Sequence, residues 1–243
     1  MRTFKDIFAI IPARGGSKGI RNKNLKEIDG IPLIKRTINI AKESKFINRI
    51  FVSTDSQEIA TLCQKSGADI IHRPTELGLD QTSSEDVLIH AYKEMIKSTE
   101  KPSIIVLLFA NNPAISIDLV KQGIKKLTDD ESYDSAFSVS KYNMFSPPRA
   151  RKLVDDKIES FVPLNLIGKV NSIRSSQGDV YFCDLSVQVI RSRVFENMQD
   201  GMQPFQWMGK KSFPLKNSYG FDIDEEWQKT AIEVWLKKNW KYE

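Results

Sequence analysis

"FAIIPARGGSKGIRNKNLKEIDGIPL", residues 8–33, starts as a buried strand and then turns abruptly polar. The eleven residues from Ala13 to Lys23 hold four cationic side chains, Arg14, Lys18, Arg21 and Lys23, and three glycines. In "DIFAII" (6–11) every residue after Asp6 is apolar, as in a strand covered on both faces. A glycine-rich turn leaving such a strand lies at the strand's carboxyl end, where parallel α/β sheets bind ligands. Glycine permits positive φ and lets backbone N–H groups approach a phosphate unobstructed. The spacing fits neither G-x-x-x-x-G-K-[ST] nor G-x-G-x-x-G, which excludes two common nucleotide loops. What remains is a long cationic loop suited to a polyanion such as a triphosphate, or else a solvated basic loop.

Outward from this loop the chain alternates. "PLIKRTINIAKES" (32–44) has helical spacing with proline in its first turn, and "RIFVSTD" (49–55) is strand-like. Ser53, Thr54 or Asp55 is placed to cap the helix "SQEIATLCQKSG" that follows. "ADIIHRP" (68–74) and "SIIVLLFA" (103–110) are further strands, separated by the helical "SSEDVLIHAYKEMIKS" (83–98). This order predicts an α/β fold, a mainly parallel sheet with helices on both faces. From Ser135 the rhythm changes to strand-like pieces broken by proline, glycine and polar turns, predicting an antiparallel excursion from the sheet. "KKSFPLKN" then predicts a returning strand and residues 224–240 a terminal helix. With no repeat, low-complexity tract or linker, residues 1–243 are expected to form a single domain.

Composition narrows the function classes. At 243 residues, 40% hydrophobic and 28% charged, the chain can bury one substantial core. Its net charge of +5 is scattered along surface-helix patterns such as "IKKLTDDESYD", so no nucleic-acid partner is expected. No apolar run reaches about 18 residues, and Met1–Asp6 lacks the apolar centre of an export signal, so no membrane association and a cytoplasmic location are expected. Cys63 and Cys183, far apart, fit free thiols rather than a disulfide or zinc framework. With only His72 and His90 present, neither in a motif, a Ser-His-Asp relay is disfavoured.

The loop "IIPARGGSKGIRNKNL" resembles the signature of the acylneuraminate cytidylyltransferase family, which activates sialic acids and related sugar acids as CMP conjugates. The likeness continues in order through "RIFVSTDSQEIA", "RPTELGLDQTSSEDVLIHAY", "IIVLLFANNP", "QGDVYF" and "FDIDEEWQ", nearly end to end. It implies a three-layer Rossmann-like nucleotidyltransferase fold, CTP as co-substrate and Mg²⁺ as cofactor. Arg14 and Lys18 match positions that hold the CTP phosphates, with Ala13, Gly15, Gly16 and Ser17 lining the same turn. Lys23 and Asn24 match positions near the phosphates and the reacting centre, and Ser84 a serine associated with the cytosine. On residue type alone Ser84 reads better as a helix cap, and the two roles are compatible. Asp222 and Asp224, two apart in "FDIDEE", would project from one face of a strand and repel unless a cation such as Mg²⁺ neutralised them. They also read as an acidic cluster at a helix N-terminus; the resemblance places Mg²⁺ there. It further implies a homodimer, through an excursion at about residues 142–174.

The acceptor side departs from the pattern. Where sialic-acid members carry a segment like "LLQPTSPLR", this chain has "LLFANNPAI": Phe109 replaces the glutamine, and Asn111 and Asn112 replace the hydroxyl pair. The family's Arg-Pro-Asn-Gly stretch becomes "IRSSQGDVYF", with Arg174 one position out of register and Gln177 in place of the asparagine. Phe109, Asn111, Asn112, Arg174 and Gln177 are therefore the candidate acceptor-binding residues. The expected activity is CTP-dependent transfer of CMP to a nonulosonic, sialic-acid-like sugar acid. The alternatives are an octulosonate or phosphonate acceptor, a nucleotide-binding module without turnover, or a glycosyltransferase-like protein using its Asp-x-Asp.

Overall fold

The computed structural model describes residues 6–16, 19–220 and 222–239. Strand β1 (Ile7–Pro12) leads through the basic loop to a small hairpin of β2 (Glu27–Ile28) and β3 (Ile31–Pro32). Helix α1 (Leu33–Glu43), strand β4 (Arg49–Thr54), helix α2 (Gln57–Lys65) and strand β5 (Asp69–His72) follow. Helix α3 (Ser84–Lys97), strand β6 (Ile104–Leu107) and helix α4 (Ile117–Asp129) complete the alternating half. Then come strand β7 (Ser135–Lys141), hairpin strands β8 (Arg151–Val154) and β9 (Lys157–Ser160), and the long strand β10 (Tyr181–Arg191). Helix α5 (Ser192–Glu196), strand β11 (Ser212–Asn217) and helix α6 (Glu226–Asn239) close the chain.

Among these residues, seven strands make the central sheet in the order β11-β7-β10-β6-β1-β4-β5. All neighbours are parallel except β10, which runs antiparallel to both β6 and β7. Side chains alternate across the sheet as the two-residue strand period demands. Ile7, Ala9 and Ile11 of β1 join a cluster with Ile38 of α1, Cys63 of α2 and Ile124 of α4. Phe8 and Ile10 point the other way, into a cluster with Leu88 and Met95 of α3 and Phe195 of α5. Each fully buried aliphatic side chain contributes about 1.5–3 kcal/mol, so both helical layers are held by hydrophobic burial rather than by ion pairs.

The second half of the sequence prediction needs correcting. Strands β7 and β10 are not an excursion but central members of the sheet, and only the β8–β9 hairpin and its flanking turns stand off it. The pairings that insert β10 between β6 and β7 join residues distant in sequence, which local periodicity does not record. β11 returns as predicted, at the sheet edge, where Pro214 is tolerated. The caps also shift by one or more residues. Ser56 caps α2 by accepting from Ile59 N at 3.4 Å, and Ser83, not Ser84, caps α3 by accepting from Asp86 N at 3.0 Å. Ser53 and Thr54 are buried in β4 instead.

Both cysteines are free. Burial pushes the Cys63 thiol up to about 12 and raises that of Cys183 as well, with Asp184 adding to the latter. The native protein at pH 8 is therefore expected to react only slowly with a disulfide reagent such as DTNB, and to release both thiols on denaturation. Rapid labelling of Cys63 in the folded protein would contradict this packing. No helix among the described residues is long and apolar enough to cross a membrane.

Candidate active site

The loop after β1, the residues after β5 and β6, the start of α3 and the segment before α6 converge on a cavity of about 580 Å³. Arg14, Lys23 and Asn24 line it from the basic loop, Arg73 from the end of β5, Ser84 from α3, and Phe109 and Asn111 from beyond β6. Asp224 and Glu225 line the side nearest α6. A larger cavity of about 710 Å³ lies between α1, α4 and α6, but among the described residues none of the loop cations lines it. The smaller cavity sits at the carboxyl ends of the parallel strands, where topology exposes backbone and loop groups to a ligand.

The loop is fixed by its own backbone. Ala13 N donates to Ser53 O at 2.9 Å and Gly15 N to Asp55 Oδ1 at 2.8 Å. Asn24 is buried and donates from Nδ2 to Arg14 O at 2.9 Å, closing the turn. Among the described residues of the loop, the left-handed one is not a glycine but Asn22, with φ 56°. Glycine is needed at position 19 for a different reason, since a Cβ there would lie 2.2 Å from the Asp224 carbonyl oxygen. Gly19 thus lets the basic loop close against the acidic segment 201 residues and more downstream, a contact the opening motif alone does not announce. Gly16 has open space where a side chain would begin. Ser17 and Lys18 lie outside the described residues.

The cations are held by acids. Arg14 Nη1 pairs with Asp80 Oδ1 at 2.8 Å, and Lys23 Nζ pairs with Asp224 Oδ1 at 2.5 Å. Both pairs include a partly exposed partner, so each stabilises the fold by at most about 1 kcal/mol and yields readily to a stronger anion. Arg73 is a further cation that the sequence reasoning missed. It is buried, and it donates from Nε to Ser53 Oγ at 3.3 Å and from Nη2 to Ser53 O at 2.8 Å. Burial lowers its pKa, Asp55 opposes that shift and Arg14 reinforces it. The available signal was an arginine directly after the strand "ADIIH".

Asp222 and Asp224 lie on an irregular segment, neither on a strand, because β11 ends at Asn217, nor within α6, which begins at Glu226. Ile223 between them is buried in a small cluster with Ile20 and Ile232, and its N–H donates to Asn111 O at 2.8 Å. Burial pushes the Asp222 carboxyl up to about 6, the neighbouring Asp224 adds to this, and Lys23 opposes it. Asp224 does not cap α6. Its backbone N–H and that of Glu225 both donate to Gln228 Oε1 at 2.7 Å, which leaves the Asp224 carboxylate on Lys23. Among the described residues no group of three or more His, Cys, Asp or Glu could hold a metal ion. A pair of hard carboxylates still fits Mg²⁺, which is commonly held by one or two protein carboxylates, with phosphates and water completing the shell.

On the acceptor side Phe109 and Asn111 reach the cavity, whereas Asn112 and Gln177 do not. Asn112 is completely buried; it donates to Ser186 Oγ at 2.9 Å, and its amide lowers the pKa of the Asp222 carboxyl. Gln177 is engaged within the excursion, accepting from Ser146 Oγ at 2.6 Å and donating to Asn171 O at 3.2 Å. The side chain of Arg174 lies outside the described residues.

A cationic cleft at the carboxyl ends of a mostly parallel sheet, lined also by Asp224 and Glu225 but not by Asp222, defines an α/β protein with a site suited to an anionic ligand. Residues 8–194 match the cytidylyltransferase family, and the chain belongs to it. It is 34% identical over 231 residues to N-acylneuraminate cytidylyltransferase A of Danio rerio, covering 92% of this chain and 49% of that protein. It is 35% identical over 156 residues to the N-acylneuraminate cytidylyltransferase of Escherichia coli, covering 64% of this chain and 35% of that protein. The chain therefore spans about half the length, or less, of these curated relatives. In fold it is similar to a CMP-2-keto-3-deoxy-manno-octonic acid synthetase solved with CTP, at a TM-score of 0.70 and 17% identity, with 96% of this chain and 99% of that one covered.

Proposed function

We propose that this chain transfers CMP from CTP to a hydroxyl of a nonulosonic, sialic-acid-like sugar acid. The acceptor oxygen bonds to the α-phosphorus, the bond from that phosphorus to the bridging oxygen breaks, and pyrophosphate leaves. The hydroxyl proton passes to solvent. The observation that carries this reading is the cavity in which Arg14, Lys23 and Arg73 approach Asp224 across the strand ends. Three cations in one cleft fit a triphosphate and its developing negative charge better than they fit a neutral ligand. Arg14 and Lys23 exchange their carboxylate partners for phosphate oxygens, and the buried Arg73 supplies a cation already fixed in place. Asp222 and Asp224 would hold Mg²⁺, which would neutralise and orient the phosphates. Ser84, released from capping by Ser83, is free to face the base.

Names of the curated relatives support a sialic-acid-like acceptor. Phe109 and Asn111 in the cavity, in place of glutamine and a hydroxyl, favour an acid other than N-acetylneuraminate itself. Pyrophosphate release measured with CTP and a panel of nonulosonic, octulosonic and phosphonic acids tests this. Release is expected with one or more nonulosonic acids; release with octulosonate or phosphonate alone transfers the assignment to that acceptor, and release with none refutes it. A cytoplasmic location, where CTP is made, accords with this activity.

A single domain over residues 1–243 and a homodimer belong to the same reading. The β8–β9 hairpin stands off the sheet with Leu153, Ile158, Phe161 and Leu166 all exposed. An isolated two-stranded hairpin is marginal in water, and such an apolar surface calls for a covering partner. Sedimentation equilibrium at micromolar protein is expected to give about twice 27.8 kDa. A mass near 27.8 kDa throughout would exclude the stable dimer.

A further inference from the structure

Behind the acid pair, β10 departs from regular pairing. Cys183 faces Val139 and Gln188 faces Phe137, so four residues of β10 stand opposite Ser138 alone. The bulge is sharp enough to place Leu185 in the left-handed region at φ 56°. Such irregularities commonly re-aim side chains beside functional sites. Here the result is a half-buried carboxylate, Asp184, on which donors from three strands converge. It accepts from the hydroxyls of Ser138 and Ser140 on β7. It also accepts from Ser186 N at 3.0 Å, Ser186 Oγ at 2.7 Å and Asn217 Nδ2 at 3.2 Å.

We propose that Asp184 is a positioning residue for the metal-binding face of Asp222, acting through Ser186 and Asn112. The inference rests on the cytidylyltransferase reading above and on Asp222 as a ligand. Ser186 Oγ donates to Asp184 and accepts from Asn112 Nδ2 at 2.9 Å and Asn217 Nδ2 at 3.2 Å, which saturates it. Asn112 is fixed from the other side as its Oδ1 accepts from Ala114 N at 3.3 Å, and its amide lowers the pKa of the neighbouring Asp222 carboxyl against the rise from burial. A second path runs through the backbone. Gly220, two residues before Asp222, packs so closely that a Cβ on it would lie 2.2 Å from Asp184 Cβ. Its carbonyl is pinned by Tyr142 Oη at 2.7 Å. Gly220 is thus held between Asp184 and Tyr142, two residues before Asp222. Five hydrogen bonds converge on the Asp184 side chain, two of them from the N–H groups of Ser186 and Asn217, which can only donate. Groups that orient a metal ligand typically change metal affinity or activity about 10–100-fold when removed.

The test uses Asp184→Asn and the milder Ser186→Ala, which keeps the carboxylate and cuts its link to Asn112. Mn²⁺ binding in the presence of α,β-methylene-CTP is followed by electron paramagnetic resonance, corrected for metal bound to nucleotide alone, and the Mg²⁺ dependence of turnover is measured alongside. Both variants are expected to bind Mn²⁺ about tenfold or more weakly. At saturating metal the KM for CTP is expected to change little. A role confined to folding would lower the melting temperature and leave Mn²⁺ affinity unchanged, and that result in a folded variant overturns the inference. If Asp184→Asn does not fold, Ser186→Ala decides. Unmodified protein that transfers CMP without binding Mn²⁺ would overturn both this inference and the metal assignment beneath it, whereas unchanged affinity in the variants overturns the role of Asp184 alone.

Discussion

Arg14→Ala is expected to remain folded and to lose turnover by about 10²–10³-fold at saturating CTP and acceptor, the usual effect of removing one preorganised group that stabilises transition-state charge. The structural cost should be small, since Arg14 forms a partly exposed pair with Asp80 and such pairs contribute at most about 1 kcal/mol. A change of no more than a few degrees in melting temperature is therefore expected. Lys23→Ala should lose activity comparably but be less neutral in stability, because Lys23 also offsets the charge of the buried Asp222. Near-normal turnover in a folded Arg14→Ala protein would remove Arg14 from the phosphate site. A loss confined to KM would make it a ground-state binding group only.

Asp222→Asn should separate function from stability in opposite directions. With metal available, activity is expected to fall by at least about 10²-fold, as one of two hard ligands is lost. In EDTA the same variant is expected to be more stable than the unmodified protein by on the order of 1 kcal/mol, because a buried carboxylate beside a second carboxylate is unfavourable. The sign follows from the folded-state value of about 6, which lies above the ordinary 3.8. Ionised Asp222 costs the fold stability above about pH 6, so the gain is present there and fades as the pH falls towards 3.8. Melting curves at pH 7.5 and pH 4 with EDTA, together with metal titrations of activity, check both halves. Activity insensitive to EDTA in the unmodified protein, or a variant destabilised in EDTA at neutral pH, would mean that Asp222 is a structural carboxylate.

The alternating half of the fold and the basic loop of the candidate site were legible along the chain. Apolar runs such as "DIFAII" and "SIIVLLFA", set between helices of regular period, define strands buried on both faces, and these properties are local. The basic loop was legible because cations and glycines cluster within eleven residues. Phe109 and Asn111, named through the family resemblance, do line the cavity. Tertiary structure decided the rest. Asn111 and Asn112 are adjacent and chemically identical, yet one faces the cavity and the other is turned inward onto Ser186 and Asp222. The partner that turns Asn112 inward lies 74 residues away on a bulged strand. Arg73 became a cleft residue only when β5 paired with β4 and brought it against Ser53. Asp224 was free to meet Lys23 because Gln228, not Asp224, satisfies the backbone at the start of α6. Hydrogen bonds and like-charge repulsion act over a few ångströms, whereas sequence pattern reports only neighbours along the chain, so the direction each polar side chain takes was set by contacts that exist only once the sheet has closed.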